Sequence, residues 1–96
     1  MSWVRNFISL WEDLDVKSLV QLLAPTPSDA CLAFMLYSLA NGDTDLARRH
    51  ALLGSIRARV ENMLLSRLFR EAYDSCCNTG DEKFKSALLK LLYYHI

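Results

Sequence analysis

The sequence predicts an all-α protein, a small helical bundle with one long arginine-rich helix, dimerising through antiparallel helix packing. Three observations carry that reading. Leucine dominates over valine and isoleucine. Glycine is scarce, and no hairpin dipeptide stands between alternating apolar runs. Apolar residues recur at helical spacing along most of the chain. At 96 residues, positions 1–96 form a single all-helical domain. The apolar share of 52% slightly exceeds the ~45–50% of an average chain, and the surplus points to an oligomer interface.

Four helices follow from the punctuation. The first covers about 2–23 and brings Trp3, Phe7, Leu10, Trp11, Leu14 and Leu22 near one another, with room for a bend near Asp13–Asp15. Pro25 and Pro27 end it, because proline lacks a backbone donor and restricts the residue before it. Ser28 and Asp29 can cap a second helix, 28–40, which Asn41-Gly42 stops. Asp43, Thr44 or Asp45 can cap the third, 45–76. Only Gly54 interrupts it, at ~1 kcal/mol relative to alanine, so the helix can reach roughly 48 Å. Asn78-Thr79-Gly80-Asp81 turns the chain into a fourth helix, 81–94. Its Leu88, Leu89, Leu91, Leu92, Tyr93, Tyr94 and Ile96 suit a core or a subunit contact.

Charge is unevenly placed along this neutral chain. Six of the seven arginines lie between Arg48 and Arg70, where only Glu61 is acidic. Residues 1–47 hold two basic groups against six acidic, and 71–96 three against four. Such an arginine field is the usual footprint of a phosphate-bearing partner, and the planar guanidinium can grip a phosphate with two hydrogen bonds. Pairing with the acidic residues of 1–47 is the competing structural use.

On a continuous helix Arg48, Ser55, Arg59, Asn62, Ser66 and Arg70 fall within about 80° of one another. They form a row about 33 Å long, a length that suits a duplex lying alongside. Arginines would hold phosphates, while Ser and Asn exchange hydrogen bonds with 2′-hydroxyls across the shallow minor groove of RNA. Leu52, Ile56, Val60, Met63 and Leu64, with Leu46 and Leu53 beside them, form the expected packing seam. Arg49 and Arg67 lie near opposite ends of that seam, where they can emerge towards a ligand.

Arg48-Arg49 is followed, seventeen residues after the second arginine, by Ser66-Arg67, with Arg57 and Arg59 between. This stretch resembles the second helix of the small nodavirus proteins that suppress RNA silencing. The insect-virus form carries a paired Arg-Arg, central basic residues and a Ser-Arg at that spacing. The resemblance implies an all-α homodimer that lies along double-stranded RNA without sequence preference and shields it from Dicer-type processing. It also implies RNA contacts for Arg48 or Arg49, for Arg59, and for Ser66-Arg67. It covers roughly thirty of the 96 residues. The family has one long helix before the basic one, whereas Pro25 and Pro27 divide this chain, and its charged C-terminal part is replaced here by apolar FKSALLKLLYYHI.

The remaining constellations carry less. His50, His95, Cys31, Cys76 and Cys77 show no CxxC or HxxxH spacing, so neither a metal nor another cofactor is expected. Three cysteines, two of them adjacent, do not make a disulfide framework. Trp3, Phe7 and Trp11 can anchor an amphipathic helix at a membrane surface, but their neighbours are acidic, so packing is favoured and no membrane partner is expected. The longest apolar run, Ala30 to Tyr37, is far short of the ~20 residues of a membrane span. No secretory signal is recognisable, and a cytoplasmic location is expected, in the host cytoplasm if the protein is viral. Without a Gly-rich phosphate loop, a nucleophile elbow or paired catalytic carboxylates, no enzymatic activity and no small-molecule substrate is expected. The expected function is sequence-independent double-stranded RNA binding that suppresses host RNA silencing, with self-association as a homodimer. The alternative is a helical protein-interaction or oligomerisation module with no nucleic-acid role.

Overall fold

Every helix begins where a side-chain oxygen is available to cap it. A computed structural model describes residues 2–95. Ser2 caps α1 (Trp3–Leu10), Asp15 caps α2 (Val16–Leu23), and Thr26 caps α3 (Pro27–Ala40). Asp43, Asn62 and Asp81 cap α4 (Thr44–Ala58), α5 (Met63–Ser75) and α6 (Glu82–Tyr94). The described residues contain no strand, and the protein is an all-α bundle.

Two of the four expected helices are divided. Between α1 and α2 the Leu10 carbonyl accepts from both Asp13 and Leu14, and the Asp15 carboxylate takes the Ser18 N–H at 3.1 Å. Between α4 and α5 the Ala58 carbonyl accepts from both Glu61 and Asn62. Asn62 then turns extended (φ −165°, ψ 118°), and its side chain accepts from Leu65 N–H at 3.2 Å. The long arginine helix is therefore a helical hairpin. A rod of roughly 48 Å would also exceed the longest dimension of the molecule, 31 Å. The cap of α3 shifts as well: Thr26 takes the Asp29 N–H, Pro27 occupies the first turn, and the side chains of Ser28 and Asp29 are free for tertiary contacts.

Successive helices pack against one another, so the chain runs back and forth. Phe7, Phe69, Phe84, Leu19, Leu32, Met35 and Leu91 are fully buried. Trp11 packs edge-on and Trp3 at a tilt against Phe7, and both are partly buried against the same core, which gives the aromatic residues at this end of the chain a packing role. In α6, Leu91 is buried and Leu88 and Leu92 flank the core, whereas Leu89, Tyr93 and Tyr94 are exposed; Ile96 lies outside the described residues.

Of the expected apolar seam of the third helix, only Leu52 and Leu53 are half-buried, with Leu53 against the core. Ile56, Val60, Met63, Leu64 and Leu46 are exposed, and the buried face of α4 is Ala47, Ala51, Gly54, Ser55 and Ala58. Small side chains let α4 lie close to both α3 and α5, which turns the larger apolar residues outwards.

Candidate nucleic-acid interface

The α4–α5 hairpin carries the arginines, and its crossing is built around Gly54. A Cβ at that position would stand 2.5 Å from the ring of the buried Phe69. Beside this contact the Ser66 hydroxyl donates to the Ser55 carbonyl at 2.7 Å, while the Ser55 hydroxyl donates to Leu52 O. Ser55 and Ser66 are both buried. They are thus withdrawn from the expected row, because their hydroxyls satisfy carbonyls inside the helix crossing. Asn62 is also committed to the fold. It caps α5 and donates from its amide nitrogen to the Tyr94 hydroxyl at 2.6 Å.

The arginines are placed differently. Arg48, Arg49, Arg57, Arg59, Arg67 and Arg70 are all exposed. Folding the hairpin brings Arg48, from the start of α4, beside Arg70, near the end of α5. Their guanidiniums stand 4.6 and 5.4 Å from the centre of the Tyr73 ring. Arg48 and Arg49 border a cleft of about 350 Å³ lined also by Asp45, Leu52 and Tyr73. Arg59 is the C-cap of α4, and Arg67 lies in the second turn of α5, so these two belong to the other end of the hairpin. The straight row becomes two arginine groups on one hairpin, about 16 Å apart from Arg48 to Arg59 along the helix.

Of the described arginines only Arg70 forms an ion pair with a carboxylate, to Asp74 one turn on, at 3.1 Å. No carboxylate of the described residues of 1–47 forms an ion pair with these arginines, although Asp45 shares the cleft of Arg48 and Arg49. Arg57 reaches inwards to Cys31 Sγ at 3.5 Å, and burial raises the pKa of that thiol. The positive charge of the hairpin is left facing solvent.

The corner that holds Arg59 is tied down by three side-chain contacts. Ser28 donates to Glu61, Asn62 to Tyr94, and His95 Nε2 meets Asp29 Oδ1 at 2.5 Å. His95 Nδ1 lies 2.8 Å from Leu91 O. Burial works against the charge on His95, but the Asp29 and Leu91 oxygens outweigh it and raise its pKa. His50 stacks on Phe34 at 5.1 Å, and burial, with Arg57 adding to it, lowers its pKa. The two histidines are thereby held apart, and no three His, Cys, Asp or Glu side chains among the described residues cluster as metal ligands.

Tyr73 is the site residue that sequence reasoning missed. Its signal is present, since it follows Arg70 by three residues and so shares that face of α5. Its meeting with Arg48 needs the hairpin. No family model, no curated protein and no solved structure matches this chain. No helix of the described residues is long and apolar enough to cross a membrane.

Proposed function

We propose that the protein binds double-stranded RNA through the outer surface of the α4–α5 hairpin, without reading sequence, and shields the duplex from Dicer-type processing. Suppression of RNA silencing in a host cell is the corresponding biological role. The observation that supports this reading is the exposed arginine field: six exposed guanidiniums, of which only Arg70 has an ion-paired carboxylate among the described residues. Holding five such side chains without carboxylates gains little for the fold, whereas a polyphosphate would release counterions on binding them. Arg48, Arg49 and Arg70 form one phosphate-binding group and Arg59 with Arg67 the other. Ser55, Asn62 and Ser66 position the helices rather than touch the ligand.

Substitution tests the assignment. Arg59→Gln and Arg67→Gln should each weaken binding equally for unrelated duplexes, lower the salt slope by about one, and leave helicity intact. Unchanged affinity in both variants removes the role given to this surface. The outward apolar residues Ile56, Val60, Met63 and Leu64 favour a second reading, a self-associating helical module.

A further inference from the structure

The back-and-forth path of the chain sorts charge and apolar surface by end. At one end lie the turns α1–α2, α3–α4 and α5–α6. Trp11 meets Tyr37 there at 5.7 Å, and a cleft joins Trp11 and Glu12 to Tyr37, Ala40 and Asn41. Arg48 over Tyr73 brings the end of α5 beside the start of α4. Residues 11–15, 41–45 and 76–82, which make these turns, hold seven acidic residues and no basic one, and with Glu71 and Asp74 their carboxylates outnumber the Lys17, Arg48, Arg49, Arg70 and Lys83 that stand beside them. Leu10 and Leu14 are exposed among them.

At the opposite end the contacts Glu61–Ser28, Asn62–Tyr94 and Asp29–His95 gather the α2–α3 turn, the α4–α5 turn and the end of α6. Asp29 is engaged with His95 and Glu61 with Ser28, while Arg57, Arg59 and Arg67 have no carboxylate partner among the described residues. Around them stand Val60, 92% exposed, and Leu22, 77% exposed, together with Met63, Leu64 and Tyr93. This end is basic and apolar.

We infer that the basic, apolar end of one copy docks head to tail on the acidic end of a second copy. An isologous contact between two basic ends would set Arg57, Arg59 and Arg67 against their own equivalents, a repulsive arrangement. The head-to-tail contact sets them against the seven carboxylates and lets Leu10 and Leu14 cover Val60, Met63 and Leu64. Such a heterologous contact leaves a free end on each copy. It grows with concentration instead of stopping at two, and salt weakens it. An antiparallel helix pairing is already made within one chain, by α4 and α5, and the basic end carries the most exposed large apolar residues among those described, Val60 and Leu22. This inference does not rest on RNA binding, and its test contains no RNA.

Analytical ultracentrifugation of three proteins at low salt decides it. The wild type should exceed 11.0 kDa by an amount that rises steadily with concentration. A variant with Val60→Asp and Leu64→Asp puts carboxylates into the apolar, basic end, and one with Glu12→Lys and Asp13→Lys reverses charge in the acidic end. Each alone should sediment as a monomer with unchanged circular dichroism. Mixed in equal amounts they should form a one-to-one pair and nothing larger, because each keeps the end that is altered in the other. A wild type that stays monomeric overturns the inference, whether or not the same end binds phosphatidylserine vesicles or an acidic peptide. A wild-type dimer that does not grow, or a mixture that stays monomeric, overturns it equally.

Discussion

Gly54 shows how much one missing methyl group decides. In an isolated helix alanine would be better than glycine by ~1 kcal/mol, but here the added Cβ would enter the ring of Phe69 at 2.5 Å. Phe69 is fully buried and has no room to retreat. The steric cost therefore outweighs the propensity gain, and Gly54→Ala should lower stability by about 1–2 kcal/mol net. Urea unfolding measures it; an alanine variant as stable as the wild type would mean that α4 and α5 do not approach so closely. His95 is a second residue of this kind. Both ring nitrogens meet oxygen atoms, Asp29 Oδ1 and Leu91 O, and both can donate when the ring is protonated, which favours the charged form. Its folded-state pKa is raised, so its contribution is complete below the unfolded value of about 6.5 and is lost as pH rises through the folded value. His95→Gln should cost about 3 kcal/mol near pH 6, and the gap to wild type should narrow as pH rises through the folded value. A gap that stays constant from mildly acidic to alkaline pH would contradict the charged pair. His50 acts in the opposite sense, since its lowered pKa gives stability that is lost on acidification.

At the scale of the helices, the crossing of α4 and α5 separates what holds the fold from what can touch a ligand. Ser66→Ala removes a buried hydrogen bond to the Ser55 carbonyl and should cost about 1 kcal/mol while leaving RNA affinity unchanged. Arg67→Gln should do the reverse, and paired denaturation and binding curves compare the two. If Ser66→Ala weakened RNA binding without destabilising the protein, the hydroxyl would belong to the interface after all. The same hairpin explains what was legible in the sequence. The class, the turn at Asn41–Asp43 and the helix after Asp81 could be read because capping residues stand there beside glycine or proline. The break at 59–62 has neither. Its signal is Asn62 alone, an N-cap residue type without a breaker, and the apolar run on both sides reads as one continuous helix. Helical periodicity also misassigned the buried face, because it favours large apolar residues. The face of α4 that packs is made of Ala47, Ala51, Gly54 and Ala58, chosen by close approach rather than by apolar area.

Across the whole molecule, folding divides a neutral chain into surfaces of distinct charge. The arginine concentration between 48 and 70 was visible in the sequence, but its division into two groups was not. Arg48 and Arg70 become neighbours through Tyr73 only once the hairpin closes. The helices also place three acidic turns at one end and the arginine-bordered apolar corner at the other. That polarity depends on the number of times the chain reverses, which the reading of four helices undercounted. Under the proposed function the hairpin's exposed arginines serve a duplex. Fluorescence anisotropy with a labelled RNA duplex of about 25 base pairs, against DNA of the same sequence and over a salt series, tests it most directly. Binding to RNA that is indifferent to sequence and falls steeply with salt is the predicted result. Absence of RNA binding even at low salt would contradict it and leave self-association as the use of this surface.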